Sequence, residues 1–159
     1  MSPIIVHTVE IASIVVAGTM TGNEIAVAVF FHPRISRLED AMHFRAAQTL
    51  ASALGVAMPF WYGLTFLLTL GVPFVAHPTW STPWWLALAS AGLYAIMIVY
   101  SVLLLVPINT QIARWQSNSP SADWRELRRR WDVLHAVRVG FLVVALTLLA
   151  ASFVIQPCI

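Results

Sequence analysis

The sequence contains no lysine and a single cysteine, and charged residues of any kind make up only 10% of its 159 positions. A water-soluble domain carries about 25%. With 59% of its residues hydrophobic, the chain cannot cover its surface with polar groups in water, and it needs lipid as its solvent. One cysteine, Cys158, excludes a disulfide framework and a thiolate metal cluster, and reads as a structural thiol. No basic leader with a small-residue cleavage site precedes the first apolar run, so the N-terminus is expected to be a retained helix. No nucleotide-binding glycine loop, no Ser-His-Asp pattern and no di-iron carboxylate motif occurs, and there is no long linker, low-complexity tract or internal repeat. The net charge of +2 does not suggest nucleic acid, because the long apolar runs leave no solvated basic face.

Four apolar stretches are present, at about 3–31, 45–71, 83–107 and 131–155, each meeting the roughly 20 residues needed to cross a hydrocarbon core. The expected fold is all-α, a single-domain integral membrane four-helix bundle spanning 1–159. All nine cations are arginines. Arg34, Arg37 and Arg45 lie in or just past the first connection, and Arg114, Arg125, Arg128, Arg129, Arg130 and Arg138 in or just past the third. The middle connection, 72–82, carries no formal charge. By the positive-inside rule both Arg-bearing loops are cytoplasmic and both termini lie outside, in the orientation expected for a bacterial inner membrane protein. Trp80, Trp84 and Trp85 mark the opposite interface. Asp123-x-x-Glu126 resembles a capping box, so the last helix is expected to begin near 124 and to carry Trp124, Leu127, Trp131, Leu134 and Arg138 on one stripe.

Ionisable groups within a span are costly and call for a partner or a function. His7 and Glu10 fall near the outer interface and are expected to be solvated. Glu24 precedes the end of the first stretch by seven residues, roughly 10 Å at 1.5 Å per residue. Arg138 follows Trp131 by the same interval. The two charges should therefore lie at one depth and neutralise each other. Asn23 adjoins Glu24, and His135 lies one helical turn from both Trp131 and Arg138. Gln48 and Thr49 open the second helix, and Asn109 follows Pro107 at the end of the third. Polar side chains from every helix thus converge in the Arg-bearing third of the bundle, where His135 can serve as a general base or proton relay. Gly18-x-x-x-Gly22 with Ala26 is expected to form a ridge for close helix approach. Pro59 is expected to kink the second helix. Trp61, Tyr62, Tyr94 and Tyr100 sit at mid-span depths, as core or as the lining of a cavity for a flat guest.

Gly22-Asn23-Glu24, His32-Pro33, Pro107-Ile108-Asn109 and Trp131-x-x-x-His135-x-x-Arg138 together resemble the anthrone oxygenase-like group of small four-helix membrane proteins. The likeness runs from the first helix to the fourth, and its most specific part is Trp131-Asp132-Val133-Leu134-His135-Ala136-Val137-Arg138. The resemblance implies oxidation of an anthrone to an anthraquinone with molecular oxygen as co-substrate and no conventional flavin or metal. It further implies that His135 removes the acidic benzylic proton while Arg138, Asn23 or Asn109 holds the enolate oxygen. The candidate site is then His135, Arg138 and Glu24 as catalytic residues, with Asn23, Asn109, Trp131 and Gln48 around the substrate.

Three other readings compete with a membrane-embedded oxygenase acting on a small hydrophobic, aromatic substrate. A Glu in the first of four helices suits a small proton-coupled exporter, although the one-sided Arg distribution fixes a single orientation. A non-catalytic subunit would use the small-residue ridge or the Arg-rich loop to pack against a larger complex or a second copy. Haem or copper bound through His32, His43 and His135 is the weakest alternative, because their spacing matches no metal motif.

Overall fold

The computed structural model describes residues 2–114 and 123–155, and every regular element among them is helical. Four rods are long and apolar enough to cross a membrane: α1 (Pro3–Ile35), α2 (Asp40–Val75), α3 (Thr82–Arg114) and α4 (Trp124–Val154). Each runs several residues past its apolar stretch at the Arg-bearing end. Cys158 lies outside the described residues. Short connections make chain neighbours antiparallel; α1 packs on α2, α2 on α3 and α3 on α4, and α4 returns to α1 to close the bundle. Large apolar side chains such as Phe60, Leu67 and Leu103 face outward, as a lipid solvent permits.

The helix ends follow local chemistry. Ser81 accepts a hydrogen bond from the Trp84 N–H at 3.3 Å and Pro83 follows at the start of the helix, so α3 begins with a capped first turn. Trp80, Trp84 and Trp85 cluster there with ring centroids 4.6–5.6 Å apart. α4 begins at Trp124 without the expected capping box. Asp123 makes no side-chain cap, and Glu126 is engaged instead by Arg129 through two 3.0 Å hydrogen bonds. What anchors this end is burial of the Trp124 ring against His43 and Phe44 of α2.

Two helices carry π-helical turns, at Val27–Phe31 in α1 and Ser101–Leu105 in α3. Each is closed by an i→i−5 bond, from the His32 N–H to the Val27 carbonyl and from the Val106 N–H to the Ser101 carbonyl. Each stands immediately before an X-Pro step, His32-Pro33 and Val106-Pro107. A proline inside a helix has no N–H to donate and its ring collides with the carbonyl four residues back. Widening the preceding turn relieves that collision without breaking the rod. α2 likewise runs unbroken through Pro59 and Pro73.

The packing core is divided. One apolar cluster, around Met20, Tyr62, Tyr94, Met97 and Leu142, fills the middle of the bundle. A second, around Val27, Phe44, Leu105, Ile112 and Trp131, fills the Arg-bearing end. A layer of buried polar side chains separates them. The Gly18 and Gly22 ridge takes no part in either cluster: a methyl group on either glycine would meet nothing within 4 Å. The buried stripe of α1 is Ser13, Ala17, Met20, Thr21, Glu24 and Val27, and Gly22 falls off it onto the exposed side.

Candidate functional site

The polar layer centres on Glu24, which α1 presents inward one turn before its π-helical segment. Arg138 of α4 donates through Nη2 to Glu24 Oε2 at 2.5 Å, the charge pair that matched depth requires. Both side chains are nearly sealed from solvent. A pair withdrawn from water is better tolerated the more of its remaining hydrogen-bonding capacity is met. Arg138 Nη1 accordingly donates to Ser101 Oγ at 3.2 Å, in the π-helical turn of α3, and the guanidinium lies over the Tyr62 ring at 5.4 Å. One arginine thereby links all four helices.

His135 stands one turn before Arg138 and is buried to 1% exposure. Its Nδ1 lies 2.9 Å from Arg138 Nη2 and 3.3 Å from Glu24 Oε2. Its ring stacks on Trp131, with centroids 4.7 Å apart and planes 15° apart. Three polar atoms of this group are buried with no protein partner among the described residues: His135 Nε2, Trp131 Nε1 and Arg138 Nε. Leaving a buried polar group unpaired costs about 1–3 kcal/mol, so these three nitrogens are a cost that the polar layer carries.

These residues border a cavity of about 190 Å³. Glu24, His135, Arg138, Trp131, Ser101 and Asn109 supply its polar wall, and Val27, Leu54, Met58, Ile98 and Leu105 its apolar one. Gly55 and Pro59 of α2 and Val102 and Val106 of α3 line it while also being exposed on the lipid-facing surface. The cavity therefore opens sideways between α2 and α3. Pro59 adds a feature at the mouth, since it cannot donate to the Gly55 carbonyl four residues earlier. Tyr62 joins the lining, whereas Tyr94 is wholly buried in the mid-bundle cluster, Trp61 packs at that cluster's edge, and Tyr100 donates to the Leu134 carbonyl at 3.2 Å.

Two expected contributors stand apart. Asn23 is next to Glu24 in sequence and hence about 100° around the helix; its amide meets Met58 Sδ at 3.7 Å and it does not line the cavity. Gln48 lies too near the start of α2, where its Nε2 donates to the Ile112 carbonyl at 3.1 Å. Thr49 hydrogen-bonds its own helix at the Arg45 carbonyl. At the far end of the bundle the exposed His7 pairs with the half-buried Glu10 at 3.1 Å.

The three histidines do not converge. His43 packs edge-on against Trp124, whereas His32 joins His135, ring centroids 5.3 Å apart, and meets the Trp131 edge at 4.7 Å. Among the described residues no group of three or more His, Cys, Asp or Glu side chains is placed to hold a metal ion. Buried His32 and its half-exposed partner Asp132, 3.2 Å away, are the neighbours that sequence spacing did not assign to the site. Their signal in the sequence was membership of the His32-Pro33 and Trp131–Arg138 motifs and, for His32, the metal alternative.

An all-helical bundle of four membrane-length rods, with one sealed ion pair and a side-opening cavity, defines a class of small integral membrane proteins carrying an intramembrane polar site. The chain matches the family model for anthrone oxygenase over residues 41–148 and belongs to that family. The matched stretch includes Asn109, Trp131, His135 and Arg138, and begins after Glu24 and His32. Neither the curated proteins nor the solved structures include a match to the chain.

Proposed function

We propose that this protein is a membrane-embedded oxygenase that deprotonates a planar, hydrophobic, anthrone-like substrate in the α2–α3 cavity and lets the resulting anion react with molecular oxygen. The observation that carries this reading is the convergence of Glu24, Trp131, His135 and Arg138 on the polar wall of an otherwise apolar cavity that opens toward lipid. Family membership supports the reaction class.

His135 acts as the base. Arg138 Nη2 donates to Nδ1 at 2.9 Å in one tautomer; in the other, Nδ1–H turns to Glu24 Oε2 at 3.3 Å and Nε2 carries the lone pair that accepts the substrate proton. The imidazolium then formed lies beside the Glu24 carboxylate. Negative charge moves from the reacting carbon to the substrate oxygen, where the Arg138 and Trp131 side chains of the cavity wall donate to it; Asn109 offers a further polar contact. In the reaction a CH2 becomes C=O: one atom of O2 stays on carbon, and the other leaves as water with the two hydrogens lost from carbon.

Cavity size constrains the pose. An engineered cavity of about 150 Å³ holds benzene, so about 190 Å³ accepts one ring and part of the next. A three-ring substrate would keep its far ring in the mouth between Gly55, Pro59, Val102 and Val106, still in contact with lipid. The purified protein, given anthrone under 18O2, should form the quinone with one labelled oxygen faster than a protein-free control. Quinone formation at the control rate would refute the proposal.

A further inference from the structure

A second cavity, of about 160 Å³, lies on the Arg-bearing side of His135, lined by His32, Pro33, Ser36, Asp132, His135 and Ala136. His135 borders both cavities. No substrate-sized ring fits between the two, because the stacked His135 and Trp131 rings separate them and the His32 edge abuts the stack. What the second cavity joins is a file of proton-carrying groups.

The buried end of that file is His135. His32, only 8% exposed, comes next, its ring centroid 5.3 Å from that of His135. Asp132 follows, with Oδ1 3.2 Å from His32 Nδ1 and also 3.2 Å from Arg128 Nε, and its side chain is 38% exposed. With its proton on Nδ1, on the side of the Asp132 carboxylate, His32 keeps its lone pair on Nε2, able to take up a second proton. Arg128 neutralises Asp132 and lies over the Trp131 ring at 4.6 Å, holding the outer end of the file in place.

We propose that His32 and Asp132 form a proton relay connecting His135 with the water at the Arg-bearing face of the bundle. This rests on the base-assisted reading above. When the substrate C–H bond breaks, its electron pair stays on the substrate and its proton goes to His135. His135 passes that proton to His32 Nε2, directly or through one water molecule, and His32 releases its Nδ1 proton to Asp132 and solvent. No electron moves along the file. Both hydrogens lost from carbon are balanced by the water formed, so turnover needs no net proton export. The relay is therefore visible in the exchange of hydrogen isotopes rather than in the stoichiometry.

The test follows deuterium entering the anthrone methylene when the full chain, in lipid nanodiscs, is held in D2O without oxygen. Oxygen uptake on the same substrate is measured in parallel. The wild-type protein should exchange faster than a protein-free blank. His32→Gln and Asp132→Asn should each slow that exchange by about tenfold, at the low end of what a positioned proton carrier contributes, and slow oxygen uptake by less than about twofold. Asp132 sits at the half-exposed rim, so its variant keeps the test intact should His32→Gln fold poorly. Wild-type exchange in the Asp132 variant would overturn the relay. So would exchange and oxygen uptake falling in equal proportion, which marks a structural role. Absence of exchange above the blank in the wild-type protein would instead remove His135 as the base, and the relay with it.

Discussion

The single most consequential contact is between Glu24 and Arg138, because it lies in the layer where the two apolar clusters part. Two ions there are tolerable only together. Glu24→Gln or Arg138→Met alone should lower stability by roughly 3–5 kcal/mol, since each leaves an uncompensated buried partner, whereas the double variant should recover most of the loss. Equilibrium unfolding in mixed micelles checks this; additive losses would show that the pair contributes little as a pair. In the proposed reaction Arg138 also holds the substrate oxygen, so Arg138→Ala should reduce both stability and turnover. This pair could be read in the sequence because depth in a straight helix follows from counting residues. Asn23 could not be placed the same way: a neighbour in sequence shares depth with Glu24 but not direction.

At the scale of the helices, the prolines decide what faces inward. Glu24, Val27 and His32 are buried in α1, with spacings of three and then five. A regular helix would bury residue 31 in that place, yet Phe31 is 51% exposed. The π-helical turn supplies the extra residue, and Pro33 is what makes it necessary. A helical wheel of fixed period therefore misplaces His32, which is why the second cavity was not legible while the Trp131–His135–Arg138 face of the regular α4 was. Pro33→Ala should let this end of α1 relax toward an ordinary helix and turn His32 outward by about 100°. His32 should then become reactive to diethyl pyrocarbonate, from which the wild-type side chain is shielded; unchanged protection would separate Pro33 from the π-helical turn.

For the whole molecule, four membrane-length rods were evident from four apolar stretches, because lipid leaves only a few ways to satisfy a backbone. How the rods face one another was less evident. The small-residue ridge of α1 pointed to a close contact that the bundle does not make, since the buried stripe is set by Met20, Thr21 and Glu24. We propose that the Arg-bearing end faces the cytoplasm, in keeping with the confinement of all nine arginines to the first and third connections and their borders. An impermeant thiol reagent added to intact cells should then label Cys158; labelling only after the inner face is opened would reverse the orientation. The cavity's side opening between α2 and α3 fits a substrate that arrives dissolved in the bilayer. The central claim is that His135, at the wall of this cavity, is the base that starts oxidation. Its most direct test is oxygen uptake by the purified protein with anthrone, comparing the wild type with His135→Ala. The account predicts a loss of at least about 100-fold in a variant that still folds; full turnover by that variant would contradict it.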